Sequence, residues 1–196
     1  MSAAGSVRTR ALDAAMELLS EKGADALTLR GIARRAGIGA ASIYHHFDGR
    51  SALLVALALA GFSAMKRDIV AARDAVPRRD SLEAGSQTFF DFAAARPALF
   101  SLMFDSRLLL RHAPLREAEQ DIFALFHDLV RRSKRIPARF KMNTAMALWA
   151  PGRGVAAMHA AHPSGALPAE DLQRIFRGAD YLIDRSEIPL YATPKP

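Results

Sequence analysis

From Val7 to the last thirty residues, apolar side chains return at intervals of three and four rather than two. That spacing keeps them on one face of an α-helix and off the alternating faces of a strand. No run of β-branched residues alternates with polar ones, and no Asn-Gly or Asp-Gly hairpin turn occurs. The chain is therefore expected to be all-α, with about nine helices. At 196 residues it is long enough to bury a sizeable core.

The N-terminal part is the most informative. Val7, Ala11, Ala15, Leu18 and Leu19 share a face over Val7 to Lys22, and Gly23 supplies a stop. Thr28 then stands as an N-cap before a short helix. Leu29, Ile32, Ala33 and Ala36 form its apolar face, Arg34 and Arg35 point to solvent, and Gly37 ends it. A third short helix, from about Ala40 to Phe47, buries Ile43 and Phe47 one turn apart. Two short helices joined by a turn containing Gly match the plan of a helix-turn-helix, here about residues 28–47. Spacing alone leaves this one reading among several, since many helical proteins contain such a pair.

The particular residues carry more. The stretch "TLRGIARRAGIGAASIYHHFDGRSALLVA", Thr28 to Ala56, resembles the DNA-binding domain of the TetR family of bacterial repressors. The likeness rests on Thr28, Ile32, Ala33, Ala36, Gly37, Ile38, Tyr44, His46, Phe47 and Arg50, and on a first helix "TRALDAAMELLSEKG". It implies that Thr28 and Arg50 contact phosphates at helix N-termini. It also implies that Tyr44 and His46 hold the DNA backbone, while Ala40, Ala41, Ser42 and His45, starting from Gly39, face the bases. The family often has Ser or Thr where Gly39 stands. Lys, Gly and Thr are common where Ala40, Ala41 and Ser42 stand. A recognition helix so poor in bidentate donors would lean on thymine methyl contacts and DNA shape.

Charge adds little to the location. The net +7 suits a polyanionic partner, but residues 1–50 hold seven basic and five acidic side chains against twenty and fifteen in the remainder.

The resemblance and the helical pattern together divide the chain into a DNA-binding domain (6–66), a C-terminal ligand-binding and dimerisation domain (67–188) and a tail (189–196). The second domain opens within a long fourth helix. "PRRDS" at Pro77 to Ser81 then starts a new helix, Pro97 a short one, and a loop around His112 and Pro114 leads into a charged amphipathic helix. Two long helices close the pattern. Phe89, Phe92, Phe100, Met103, Phe104, Phe123, Phe126, Met146 and Trp149 would converge inside this bundle, either as plain core or as a mostly apolar effector pocket. The passage "FAAARPALFSLMFDSRLL" resembles a C-terminal subgroup marked by a Trp-His-Gly triplet, where this chain reads "WAPGRG". The His is absent, Pro151 should kink the helix, and Arg153 is a new cation, read first as a surface side chain and otherwise as a partner for an acidic effector.

Family likeness further implies a homodimer through the last two long helices, packed as a four-helix bundle. Such a dimer would read a pseudo-palindromic double-stranded operator with half-sites roughly 34–36 Å apart.

Other classes find little support. His159 and His162 are spaced i, i+3, but no Glu-x-x-His or His-Glu-x-x-His accompanies them, nor any nucleophile elbow, phosphate loop or dinucleotide fingerprint. No catalytic residue, metal site or cofactor is expected. With no cysteine, no signal-peptide pattern and an uncharged stretch Ser51–Met65 too short to span a bilayer, the expected setting is the cytoplasm, away from membranes. A repressor released by a small, largely apolar effector is the expected function. The alternative is a helical small-molecule sensor or carrier whose helix-turn-helix is vestigial.

Overall fold

Two hydroxyls start the first two helices in the same way. Ser6 Oγ accepts the amide of Thr9 at 3.2 Å, and Thr28 Oγ1 accepts that of Gly31 at 3.1 Å. Each satisfies one of the amides that a helix N-terminus leaves without a partner. The computed structural model describes residues 6–78 and 81–184. From these caps run α1 (Val7–Lys22) and α2 (Leu29–Ala36), with a short 3-10 helix at Ala24–Ala26 between them. The third helix, α3, is Ala40–His46. Ala11, Ala15, Leu19, Leu27, Ile32, Ile43 and Phe47 close a small core among the three. The alanines on α1 leave room for the neighbouring helices to approach.

Helix α4 (Gly49–Asp74) is long enough, at about 39 Å, to belong to both ends of the molecule. Its first turns pack on the N-terminal head. Farther on, Leu57, Phe62, Met65 and Ile69 face α5 (Ser81–Ala95), α6 (Pro97–Met103) and α8 (Ala113–Arg132). Pro97 and Pro114 each sit in the first turn of a helix, where a missing N–H costs nothing. The last helices are α9 (Lys141–Ala161), entered through a 3-10 helix at Ala138–Phe140, and α10 (Ala169–Asp184). Helix α9 runs on through Pro151.

Ten α-helices and no strand occur among the described residues, in keeping with the all-α reading. The helix that periodicity does not show is α7 (Ser106–Arg111), which occupies the segment before the expected loop. Six residues are too few to display a period. A local cap makes it instead: Asp105 Oδ1 accepts the amides of Arg107 and Leu108 at 2.8 and 3.1 Å.

The expected boundary between residues 66 and 67 falls inside α4. Helix α6 also touches α1, and one continuous core runs from Ala11 through Phe62 and Phe100 to Leu172. The head is thus seated on the bundle rather than tethered to it. The expected tail, 189–196, lies outside the described residues.

Candidate nucleic-acid interface and effector pocket

The turn between α2 and α3 sets the angle at which α3 is presented. Gly37 adopts φ 63°, ψ 37°, the left-handed conformation that glycine enters without a Cβ penalty. Its N–H donates to Arg34 O at 3.4 Å, and Ile38 N–H donates to Ala33 O at 3.0 Å. This pair of bonds is a Schellman motif, and half-buried Ile38 supplies the apolar contact that accompanies it. Gly39 caps α3 by backbone alone: its carbonyl accepts the amides of Ser42 and Ile43 at 3.0 and 3.4 Å.

Ile43 and Phe47 anchor α3 inward. Ala40, Ala41, Tyr44, His45 and His46 are exposed, and Ser42 is half-buried. Tyr44 is 54% exposed, so packing against α1 does not account for it. Thr28 is at the surface with its hydroxyl engaged as the α2 cap. Gly31 is what allows that cap to fit, since a β-carbon there would stand 2.9 Å from Thr28 Oγ1.

Arg50 has a second occupation that spacing did not suggest. Its Nε donates to Leu27 O at 3.0 Å and a terminal nitrogen donates to Ala24 O at 2.6 Å, with Asp25 at 3.7 Å. The guanidinium therefore ties the start of α4 to the turn between α1 and α2, in a side chain that is still 44% exposed. Arg35 is also more than a solvated side chain. It grips Glu21 through two bonds of 2.8 Å and Glu17 at 3.2 Å, clamping α2 to α1. The hydrogen bond from Arg35 holds the Glu21 carboxyl below the ordinary carboxylate range. Glu17 and Glu21, one turn apart on α1, were the available sign of this clamp. Arg34 stays exposed.

In the bundle, Phe89 is the hub of a ring cluster. It meets Phe100, Phe104 and Phe126 edge-to-face at centroid distances of 5.3, 6.5 and 5.2 Å, and Trp149 at 6.1 Å. Trp149 also contacts Phe104, Phe123 and Phe126. Met103 is buried against Gly61 on α4, and Phe92 is buried with Arg96 over its ring. Met146 does not join them: it is 58% exposed on the outer side of α9. Positions three apart on a helix differ by only about 60° around its axis, so Met146 stands at the outer edge of the face that Trp149 turns toward the cluster.

Arg153 is committed within the chain. It forms an ion pair with Glu119 of α8, and its guanidinium lies 5.8 Å from the centre of the Phe104 ring. Polar ties between α4 and the α7–α8 side include Ser51 with His112 Nε2 at 3.3 Å and Lys66 with Asp121 at 2.6 Å. Among the described residues no three His, Asp or Glu converge as metal ligands would, and no helix is long and apolar enough to cross a membrane.

The sequence profile of bacterial regulatory proteins of the tetR family matches residues 11–57, and that of the tetracyclin repressor-like C-terminal domain matches residues 82–179. The first segment is 47% identical, over 47 residues, to the HTH-type transcriptional repressor KstR2 of Rhodococcus jostii (strain RHA1), covering 24% of this chain and 23% of that protein. It is 46% identical, over 52 residues, to the class D tetracycline repressor protein of Escherichia coli, covering 26% and 24%. The chain thus spans about a quarter of the length of the curated relatives it matches. Solved structures extend the likeness to more than nine-tenths of the chain. A protein of unknown function from Rhodococcus sp. RHA1 superposes with a TM-score of 0.72 at 25% identity, covering 91% of this chain and 94% of that one. The fatty acid degradation regulator FadR from Bacillus halodurans shares the fold with a TM-score of 0.65 at 16% identity, covering 94% and 98%. With both halves matched, one by its reading helices and the other by its bundle, the chain belongs to the TetR family of bacterial regulatory proteins.

Proposed function

We propose that this protein is a dimeric transcriptional repressor that acts in the cytoplasm and leaves its operator when a small, largely apolar effector enters the C-terminal bundle. The observation that carries the reading is the exposed face of α3. Ala40, Ala41, Tyr44, His45 and His46 stand at the surface on a helix whose angle is set by the Gly37 turn and whose inner face is locked by Ile43 and Phe47. A short helix presented this way suits the major groove, with small residues allowing close approach to the base edges. Thr28, Gly39, Ser42 and Arg50 border the same surface and complete the proposed contact set. A regulator of this kind needs no catalytic group, and none is assigned.

Dimerisation through α9 and α10 is supported by what α9 leaves uncovered. Met142, Met146 and Met158 are exposed there beside Ala147, Ala150, Gly154 and Ala157, a strip of small and flexible apolar residues suited to close helix packing. Tyr181 of α10 is exposed as well. A dimer would place two copies of α3 for a pseudo-palindromic operator.

Release requires that the effector bind the DNA-incompetent arrangement more tightly than the competent one. Helix α4 is the physical link, because it packs on the head at one end and on the ring cluster's helices at the other. Genome-wide mapping of bound DNA, followed by titration of the recovered site, is the test. Recovery of a short pseudo-palindrome near a few promoters is expected. Binding that shows no sequence preference would favour a sensor or carrier with a vestigial head.

A further inference from the structure

His159 is wholly buried near the C-terminal end of α9, and one of its nitrogens has no partner among the described residues. Nδ1 accepts the backbone N–H of Leu167 at 2.9 Å. A nitrogen that accepts carries no proton, so in the neutral ring the proton is on Nε2. Burial, with a smaller contribution from His162, holds the ring below the ordinary histidine range and so keeps it neutral. Nε2–H is then a donor with no acceptor among the described residues. Ser101 Oγ donates its proton to Ala156 O at 3.3 Å and forms no bond with Nε2. Phe100 lies edge-to-face with the imidazole at 6.2 Å between centroids, too far for an N–H bond to its π-face. A buried donor without a partner costs about 1–3 kcal/mol, which calls for a reason.

The surroundings suggest one. Phe100 is the ring between His159 and the Phe89 hub, so the imidazole is a polar group beside the aromatic cluster. The cation on that cluster, Arg153, is neutralised by Glu119. An anionic group would therefore be buried there without an uncommitted counter-charge, at high cost. Ser86 Oγ on α5, three residues before Phe89, is a further buried polar atom without a partner among the described residues.

We propose that His159 Nε2–H is the effector's hydrogen-bond donor, and that the effector is an uncharged, mostly apolar molecule bearing a carbonyl-type oxygen. This deepens the effector-pocket reading above and rests on it. Apolar area supplies the affinity, and the oxygen acceptor supplies the selection, because a ligand without one leaves the donor orphaned.

Acetophenone and α-methylstyrene test it, since they differ by C=O against C=CH2. The full-length protein, isotope-labelled at histidine and tryptophan, is titrated with each and followed by NMR. Trp149 is the chain's one tryptophan, and its indole N–H reports entry into the ring cluster. Both probes should move Trp149, acetophenone at roughly tenfold lower concentration, and acetophenone alone should move His159 Nε2–H. His159→Gln keeps an N–H donor and should retain the preference, while His159→Phe should abolish it. If His159→Phe does not fold, the wild-type comparison still decides. Equal affinities with His159 unmoved, as when a bound water already holds Nε2, overturn the donor assignment and leave the pocket standing. Failure of both probes to move Trp149 overturns the pocket reading and this inference with it.

Discussion

The Cζ atom of Phe89 lies 2.6 Å from the place where a β-carbon on Gly152 would stand. Helix α9 can therefore approach the hub of the ring cluster only with hydrogen at that position. Gly152→Ala should push Phe89 off its packing and cost about 1–3 kcal/mol, as overpacking of a filled core does. Urea denaturation would give the loss. The tryptophan emission should shift as well, because Trp149 touches the same ring.

Arg50 should show two separable defects when truncated. Losing its bonds to Leu27 O and Ala24 O should lower stability by about 1–3 kcal/mol. If its remaining N–H groups also reach a phosphate, Arg50→Ala weakens binding to every sequence and flattens the salt slope by about 0.9. Both effects are expected. Tyr44→Ala should weaken binding without altering the slope, since no charge is removed. Operator titrations across a salt series would check them, and lost stability with an unchanged Arg50 slope would leave that residue a brace alone.

Met146→Glu is expected to convert the proposed dimer to monomer while leaving the fold intact, because the side chain is already 58% exposed within one chain. Sedimentation velocity would show the change. Operator affinity should fall with it, since a single α3 reads too few base pairs.

Below about pH 6.5 the buried imidazole should cost stability. The fold holds His159 neutral through burial, whereas the unfolded chain gains a proton as the pH falls through 6.5. The unfolded state then binds more protons, so stability rises with pH between the depressed folded value and 6.5 and is level above it. The slope is at most about 1.4 kcal/mol per pH unit. Chemical denaturation at pH 7.5 and 5.5 should show the drop in wild type and a smaller one in His159→Gln.

The likeness of Thr28–Ala56 to a family's reading helices was visible without coordinates, and so were the boundaries of α1, α2 and α3. Each depends on residues within a turn or two: the Ser6 and Thr28 hydroxyls, the Gly37 turn, and Ile43 with Phe47 on one face. Of the residues expected to converge, Phe100, Phe104, Phe126 and Trp149 gather on Phe89 while Met146 faces outward, since periodicity marks that a residue is apolar and not which way a helix bearing apolar residues on both sides will turn.

Tertiary structure alone decided how the charged and polar groups are spent. Arg35 closes on Glu21 across fourteen residues, Arg50 on Leu27 across twenty-three, and Arg153 on Glu119 across thirty-four. It also decided that α4 and α6 join head and bundle in one core, and that the Nε2 of His159 is buried without a partner among the described residues. Caps, turns and helical faces are local, so the order of residues determines them directly. The partner of a long polar side chain, and the burial of an imidazole, depend on which distant surfaces meet, and that follows from packing the helices together.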